Sequence, residues 1–187
     1  MISLDALTAL QTRVSCALLE DPGPSSLDID ELIKAACRAP DHAGLKPWRF
    51  ILIEGDSRVR FGDLLAKANH PGTGVPDPTK VKNAQRKAHR APSILVVVAR
   101  ITEHPKVPEI EQIISAGAAA NNIVTAAFIM GIGAYWRTGS AAFSPVVKQG
   151  LGLSINEQIV GFIYLGTPRI SLNSPPEINP QDYLTRW

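Results

Sequence analysis

The chain has 187 residues, 45% of them hydrophobic and 19% charged. That balance excludes disordered and fibrous classes and suits one domain, spanning 1–187, that buries roughly 70% of its unfolded surface. Nineteen Lys and Arg against seventeen Asp and Glu leave +2, which does not mark a nucleic-acid or membrane-surface protein.

Cys16 and Cys37, the two cysteines, are too few for a disulfide scaffold and lack the spacing of a zinc site. The chain is therefore expected in the reducing cytoplasm, without a metal. The start, MISLDALTALQTRVS, carries an early acid and does not read as a secretory signal.

Leu4, Leu7, Leu10 and Val14 recur at helical spacing and predict a first helix over 4–16, with Ser3 as its N-cap. EDPGPSS breaks the chain. A second helix follows, with Asp28 and Glu31 at capping-box spacing and Ile29, Leu32, Ile33 and Ala36 on one face. Pro40 ends it near Arg38. WRFILIE (48–54) alternates Trp48, Phe50 and Leu52 as a strand does, and Val59, Leu64 and Leu65 suggest a third helix.

HPGTGVPDP (70–78) reads as an irregular connection and a candidate flap. Residues 79–90 carry Lys80, Lys82, Arg86, Lys87, His89 and Arg90 without an acid. They read mainly as a solvated helix face, with attraction of an anionic ligand as the minority reading. SILVVVA (93–99) is a strand covered on both faces.

A long helix runs from Pro108, at its first turn, to about Met130. The 24 residues from Ile113 to Trp136 carry no formal charge, enough to cross a bilayer. Ser115, Asn121, Asn122 and Thr125 interrupt them, so the segment reads as a helix buried in a soluble fold or at a subunit interface. Ser144 and Pro145 start a short helix, and IVGFIYLG (159–166) is a buried strand. The proline-rich tail from Thr167 to Trp187 either frays or lies along another surface, such as a partner subunit. About five helices and three or more strands in irregular order argue for α+β over a doubly wound sheet.

The motifs exclude several chemistries. No P-loop is present, and Gly131-Ile132-Gly133 follows a helix and ends in Trp136, which rejects a dinucleotide-binding turn; its glycines read as the end of the long helix. His42, His70, His89 and His104 share no metal-ligand spacing, and Asp41-His42 has no nucleophile elbow to serve.

Three polar constellations remain. Arg13 and Ser15 close the first helix, where an ordinary cationic helix cap is the bland reading. CRAPDHAGLKPWRF (37–50) holds Arg38, His42, Lys46 and Trp48, and taken alone it reads as a helix-to-strand connection. Trp136-Arg137-Thr138 puts an aromatic plane beside a cation and a hydroxyl. Such groups suit a flat polar ring carrying a phosphate tail.

Together TRVS, RAPDHAGLKPWRF, HPKVPEIEQIISAGAAANN, AYWRTG, SPVV and IVGFIYLGTP resemble the nitroreductase family of FMN-dependent oxidoreductases, over nearly the whole chain. The resemblance implies an α+β nitroreductase-like fold: a central mixed or antiparallel sheet flanked by helices, in an intertwined homodimer with two FMN clefts at the interface. By position Arg13, Val14 and Ser15 match the phosphate and ribityl contacts. Arg38 and His42 match residues reaching the flavin from the partner, and Trp136, Arg137 and Thr138 match another wall of the cleft.

The implied activity is ping-pong hydride transfer from NAD(P)H through flavin N5 to a nitroaromatic, quinone or related acceptor, with no side chain acting as general acid or base. A flavin carrier or sensor without turnover, and a reduced-flavin dehalogenase or cleavage enzyme, are the alternatives. Two positions depart from the family pattern: Val14 replaces the second Arg of its first motif, and Ala17 stands where a cation normally faces the flavin. Arg38, Lys46 and Arg137 are the candidates to supply that charge.

Overall fold

The structure, a computed structural model, describes residues 5–70 and 77–187. The expectations for Ser3 and Leu4, and the interior of the flap expected over 70–78, lie outside the described residues.

Helix α1 (Ala6–Thr12) is capped by the Asp5 carboxylate, which accepts from the backbone N–H of Leu7 and Thr8. It is shorter than the helix expected over 4–16. Arg13 turns extended at φ −56°, ψ 128°, and the Cys16 N–H donates 2.8 Å to the carbonyl of Ala134, so residues 13–16 leave the helix for a strand-like partner. Strand β1 (Leu19–Glu20) follows, then α2 (Ser26–Ala36).

The capping box of α2 is Ser25 with Asp28, one turn before the Asp28–Glu31 pair that spacing suggests. The proline at 24 ends the preceding segment, and Ser25 is the first residue able to offer a side-chain acceptor to the orphan N–H groups. Glu31 pairs with Lys34 on the surface instead.

Strand β2 (Trp48–Glu54), α3 (Ser57–Ala68), α4 (Pro78–Ala88), β3 (Ser93–Arg100), α5 (Glu109–Ile129), β4 (Gly133–Arg137), α6 (Ser140–Phe143), α7 (Pro145–Gly150) and β5 (Glu157–Pro168) complete the order. Pro108 stands at the N-cap of α5 rather than inside its first turn, and Ser144 caps α7 as expected. Gly131, at φ +75°, ends α5, but Gly133 already belongs to β4, a strand that its Gly-Trp-Arg composition hid.

The sheet is antiparallel in every pairing among the described residues. β2 pairs β3, β3 pairs β5, and the far edge of β5 carries β4 and then β1. Both faces are covered. Ile94, Val96 and Val98 face a core built with Phe61 and Leu65 of α3 and with Ala84 and Ala88 of α4. Leu95, Val97 and Ala99 face the opposite core, built with Leu32 of α2 and with Ala116, Ala120 and Ile123 of α5. Alternate residues of β3 thus enter two different cores, which explains its unbroken apolar run. The same two-sided cover explains β2, where Ile53 is buried and Leu52, expected to share a face with Trp48, is 36% exposed at the sheet edge.

The α5 segment is long and apolar enough to cross a membrane, with mean hydropathy 1.3, yet it is seated on the sheet through Ala116, Ala119, Ala120, Ile123 and Ala127. Its other face is open: Ile110 and Ile114 are 60% and 63% exposed. Leu7 and Leu10 of α1 also point outward.

At one end of the sheet Glu157, 5% exposed, receives Arg49 Nε at 2.6 Å and Nη2 at 2.8 Å, with the Ser154 N–H at 2.9 Å and Arg100 at 3.8 Å. The guanidinium of Arg49 holds the Glu157 carboxyl down at about 2, from the usual 4.5. A depressed carboxyl stabilises the fold above its unfolded value, and this contribution is lost as pH falls from 4.5 toward 2. Glu157→Gln is expected to lower stability by about 2 kcal/mol at neutral pH, less than for a fully enclosed pair because Arg49 is partly solvated. The gap to the native protein should shrink by pH 3, measured by urea denaturation at both values.

Strand β5 carries a bulge. Val98 pairs Ile159 and Val97 pairs Gly161, leaving Val160 without a partner across the ladder. The extra residue lets Ile159, Phe162 and Tyr164 share one core although their spacing is odd. At Gly161 the Trp136 indole lies against the backbone so closely that a Cβ there would collide with its Nε1 and Cδ1. Gly161→Ala is expected to push Trp136 and β4 away at a cost of about 1–3 kcal/mol, read as a fall in the urea midpoint with an altered tryptophan emission.

Candidate functional site

Strand β4 organises the first half of the site. Tyr135 and Arg137 project to the α3–α4 side, where the Arg137 guanidinium sits 4.1 Å from the Tyr135 ring centroid and 5.9 Å from that of Tyr164. They border a cavity of about 380 Å³ with Phe61, Phe162, Lys87 and Arg90. Neither Arg137, Lys87 nor Arg90 has a carboxylate partner among the described residues. Burial pushes the Tyr164 phenol up, opposed by the nearby Arg90 and Arg137 charges. The cavity is therefore aromatic, roomy and positive, with no acid in its lining.

Thr138 and Gly139 form its exposed lip. Gly139 has φ +67°, ψ −173°, a backbone region that belongs almost to glycine alone and that turns the chain from β4 into α6.

Arg13, Val14 and Ser15 lie beside this strand. The Cys16-to-Ala134 hydrogen bond aligns the extended segment with the start of β4. Arg13 Nη1 approaches Ser15 Oγ at 3.5 Å, so guanidinium and hydroxyl point to one place. Trp136 projects from β4 toward the α2–α5 core, and its indole N–H is buried with no hydrogen-bond acceptor. A buried orphan donor is uncommon in a finished fold.

The second half is built from the loop after α2. Asp41 accepts from the backbone N–H of Leu45 at 3.2 Å and of Lys46 at 2.7 Å. This clamp holds Ala43 at φ +62° and Lys46 at φ +48°, a left-handed geometry that costs on the order of 1–2 kcal/mol for each such residue. The constrained loop presents His42, whose Nδ1 lies 2.7 Å from Glu111 Oε2 in the first turn of α5. Arg38 is exposed just past α2 and makes no side-chain hydrogen bond or ion pair among the described residues.

The Cys16-to-Ala134 hydrogen bond ties the Arg13–Ser15 segment to the start of β4, the strand that leads on to Trp136, Arg137 and Thr138, while His42 is tied to the beginning of α5. The helix from Glu111 to Ile129 spans roughly 27 Å, and β4 runs back along β5 from its end, so that Arg137 lies nearer the start of α5 than Gly133 does. Sequence reasoning missed Tyr135, Tyr164 and Gly139, and placed Lys87 and Arg90 mainly on a solvated face. The signal for the two cations was present in the acid-free run 79–90; the two tyrosines sit in apolar strand patterns that read as core.

The model of the Nitroreductase family matches residues 10–167. A curated relative from Escherichia coli K12, "Putative NAD(P)H nitroreductase YdjA", is 38% identical over 186 residues, covering 97% of this chain and 99% of its own. Among solved structures, the nitroreductase-like family protein from Bacillus cereus superposes with a TM-score of 0.83 at 20% identity, covering 98% and 96% of the two chains. A "putative nitroreductase in complex with FMN" from Desulfovibrio desulfuricans superposes with a TM-score of 0.74 at 21% identity, covering 97% and 96% of the two chains. The fold and the motif-bearing residues converge on one assignment: the chain belongs to the nitroreductase family.

Proposed function

We propose that this chain is an FMN-dependent NAD(P)H oxidoreductase that works in the cytoplasm as a homodimer, its whole length forming one cofactor-binding domain with two clefts per dimer. The observation that carries the reading is the Trp136-Arg137-Thr138 segment lining an acid-free aromatic and cationic cavity, with the Arg13–Ser15 segment tied to the same strand by the Cys16-to-Ala134 hydrogen bond. The residues fit the cofactor: unpaired cations suit its phosphate and its electron-rich pyrimidine edge, and the aromatic walls suit its tricyclic ring.

Arg13 and Ser15 bind the phosphate and Val14 lies along the ribityl chain. Arg137 and Thr138 wall the ring and Trp136 contributes through its backbone, its indole being turned to the opposite face of β4, with the Gly139 turn keeping the backbone close. Held by these residues, FMN would supply the two-electron chemistry that passes a hydride equivalent from NAD(P)H on to a nitroaromatic, quinone or related acceptor. The protein positions the ring, sets its charge environment and excludes water; no side chain is assigned as general acid or base.

A single chain leaves this cleft without Arg38 and His42, and the surface supplies the reason to expect a second copy. Ile110, Ile114 and Ile129 on α5 and Leu7 and Leu10 on α1 are all more than half exposed. The tail ends with Tyr183 81% exposed and Trp187 wholly so. The family resemblance implies a two-fold partner whose own Arg38 and His42 reach the cleft of the first subunit, and the open faces of α5 and α1 are the surface that such a partner would cover. Of the three cations that could stand in for the one missing at Ala17, Arg137 is the one that lines the cavity.

Coexpressing an Arg13→Met chain with a His42→Ala chain tests the shared cleft. Each homodimer is expected to retain little flavin. The mixed dimer holds one intact cleft and should recover about half the native yellow absorbance, bleached by NADH or NADPH. Equal loss in mixed and unmixed dimers would refute the arrangement. Arg137→Met is expected to lower the midpoint potential of the bound flavin, because a cation beside the reduced, anionic ring stabilises it. A redox titration reads the shift directly.

A further inference from the structure

Helix α4 adds to this reading a feature that the flavin does not use up. At 100° per residue Lys80, Asn83 and Lys87 fall on one narrow edge of the helix, with Arg90 just past its end continuing the row. Lys82, Arg86 and His89 lie across the helix, where Lys82 and Arg86 border a separate depression containing the acid Asp63.

The first row borders two hollows that meet. Lys87 and Asn69 line both the 380 Å³ cavity and a neighbouring one of about 210 Å³, whose wall also carries Lys80 and Asn83. A groove therefore leaves the Arg137 cavity and runs along α4 past three cations. None of the three makes a hydrogen bond or ion pair through its side chain among the described residues, and no carboxylate lines either hollow. The neighbouring acid Asp77 is turned away, capping the N–H of Thr79.

Unpaired cations set in a row beside an enclosed pocket raise the local concentration of anions and give extended polyanions a preferred direction. A row from Lys80 to Arg90 covers roughly 15 Å at the helical rise, comparable with the span of a dinucleotide's phosphates and adenosine. We propose that this groove is the docking track for the phosphates of the dihydronicotinamide dinucleotide, with Lys80 at its outer end. This rests on the flavin reading, since the nicotinamide end must lie in the Arg137 cavity for its phosphates to follow α4.

The test compares Lys80→Glu with Lys82→Glu, two identical charge reversals on opposite faces of one exposed helix. Affinity of the FMN-loaded dimer for NADP⁺ is measured by titration calorimetry, together with flavin bleaching by NADPH, NADH and the phosphate-free N-benzyl-1,4-dihydronicotinamide. Lys80→Glu is expected to weaken NADP⁺ binding about tenfold and Lys82→Glu less than about twofold, with bleaching by the phosphate-free reductant unchanged in both.

Equal slowing with NADH and NADPH would assign the row to the pyrophosphate. Slowing with NADPH alone would assign it to the 2′-phosphate. Equal weakening by the two variants, no weakening by Lys80→Glu, or equal slowing with the phosphate-free reductant would overturn the proposal. Failure of the flavin reading has a different signature, a native protein without flavin absorbance. The NADP⁺ affinities of the two variants would then still decide whether the groove binds phosphates.

Discussion

The length of α5 is the constraint on which the site depends. Twenty-one residues of unbroken helix separate the Glu111 anchor of His42 from the start of β4, where the Arg13 segment is tied. A helix seated on a sheet by five buried small and branched residues does not bend to close such a gap. The polar groups that the sequence offers for one ligand are therefore divided into two sets by a rigid spacer. In the proposed dimer a second copy would reunite them without any distortion of the first. The apolar stripe that α5 leaves open runs along the same helix that keeps the sets apart, so one element accounts for both the division and its repair.

The two sets are built in different ways. Around Arg13 the backbone is relaxed and extended, and a single hydrogen bond to Ala134 positions it. Around His42 the loop is strained, with two non-glycine residues in left-handed geometry held by the Asp41 carboxylate. Strain persists only where the surroundings over-determine it. Here the determinants are Asp41 within the loop, the buried Trp48 at its exit and Glu111 on α5. In the proposed cleft, a free hydroxyl and guanidinium would adapt to a phosphate, whereas an imidazole facing a flat ring would have to be held in one orientation.

Electrostatics divide the molecule as well. At one end of the sheet, the buried carboxylate of Glu157 is answered by Arg49 and Arg100, and those charges are consumed by the fold. In the cavity beside β4, the cations of Arg137, Lys87 and Arg90 have no carboxylate partner among the described residues, and Arg137 lies against the rings of Tyr135 and Tyr164. Arginines that are paired serve stability, and those left over create a field. The same residue type thus takes opposite roles according to whether a carboxylate lies within reach.

Local pattern was enough to recover β2, β3, β5, α5 and the caps of α7, because alternation, apolar runs and Ser-Pro starts are written within a few neighbouring residues. The family motifs likewise named Arg13, Ser15, Arg38, His42, Trp136, Arg137 and Thr138 from order and spacing along the chain. Local pattern failed wherever a distant partner set the outcome. Helix α1 stops at Thr12 because Ala134 takes up the Cys16 N–H, and β4 exists because β5 offers it an edge. Tyr135 and Tyr164 are cavity walls because the sheet faces a gap beside α4. The sequence by itself determined which segments are apolar enough to form a two-sided core and which residues are chemically suited to a phosphorylated ring. Only the tertiary structure decided which of those residues border a cavity and which are held apart, since backbone pairing and helix length act between positions that no short window contains.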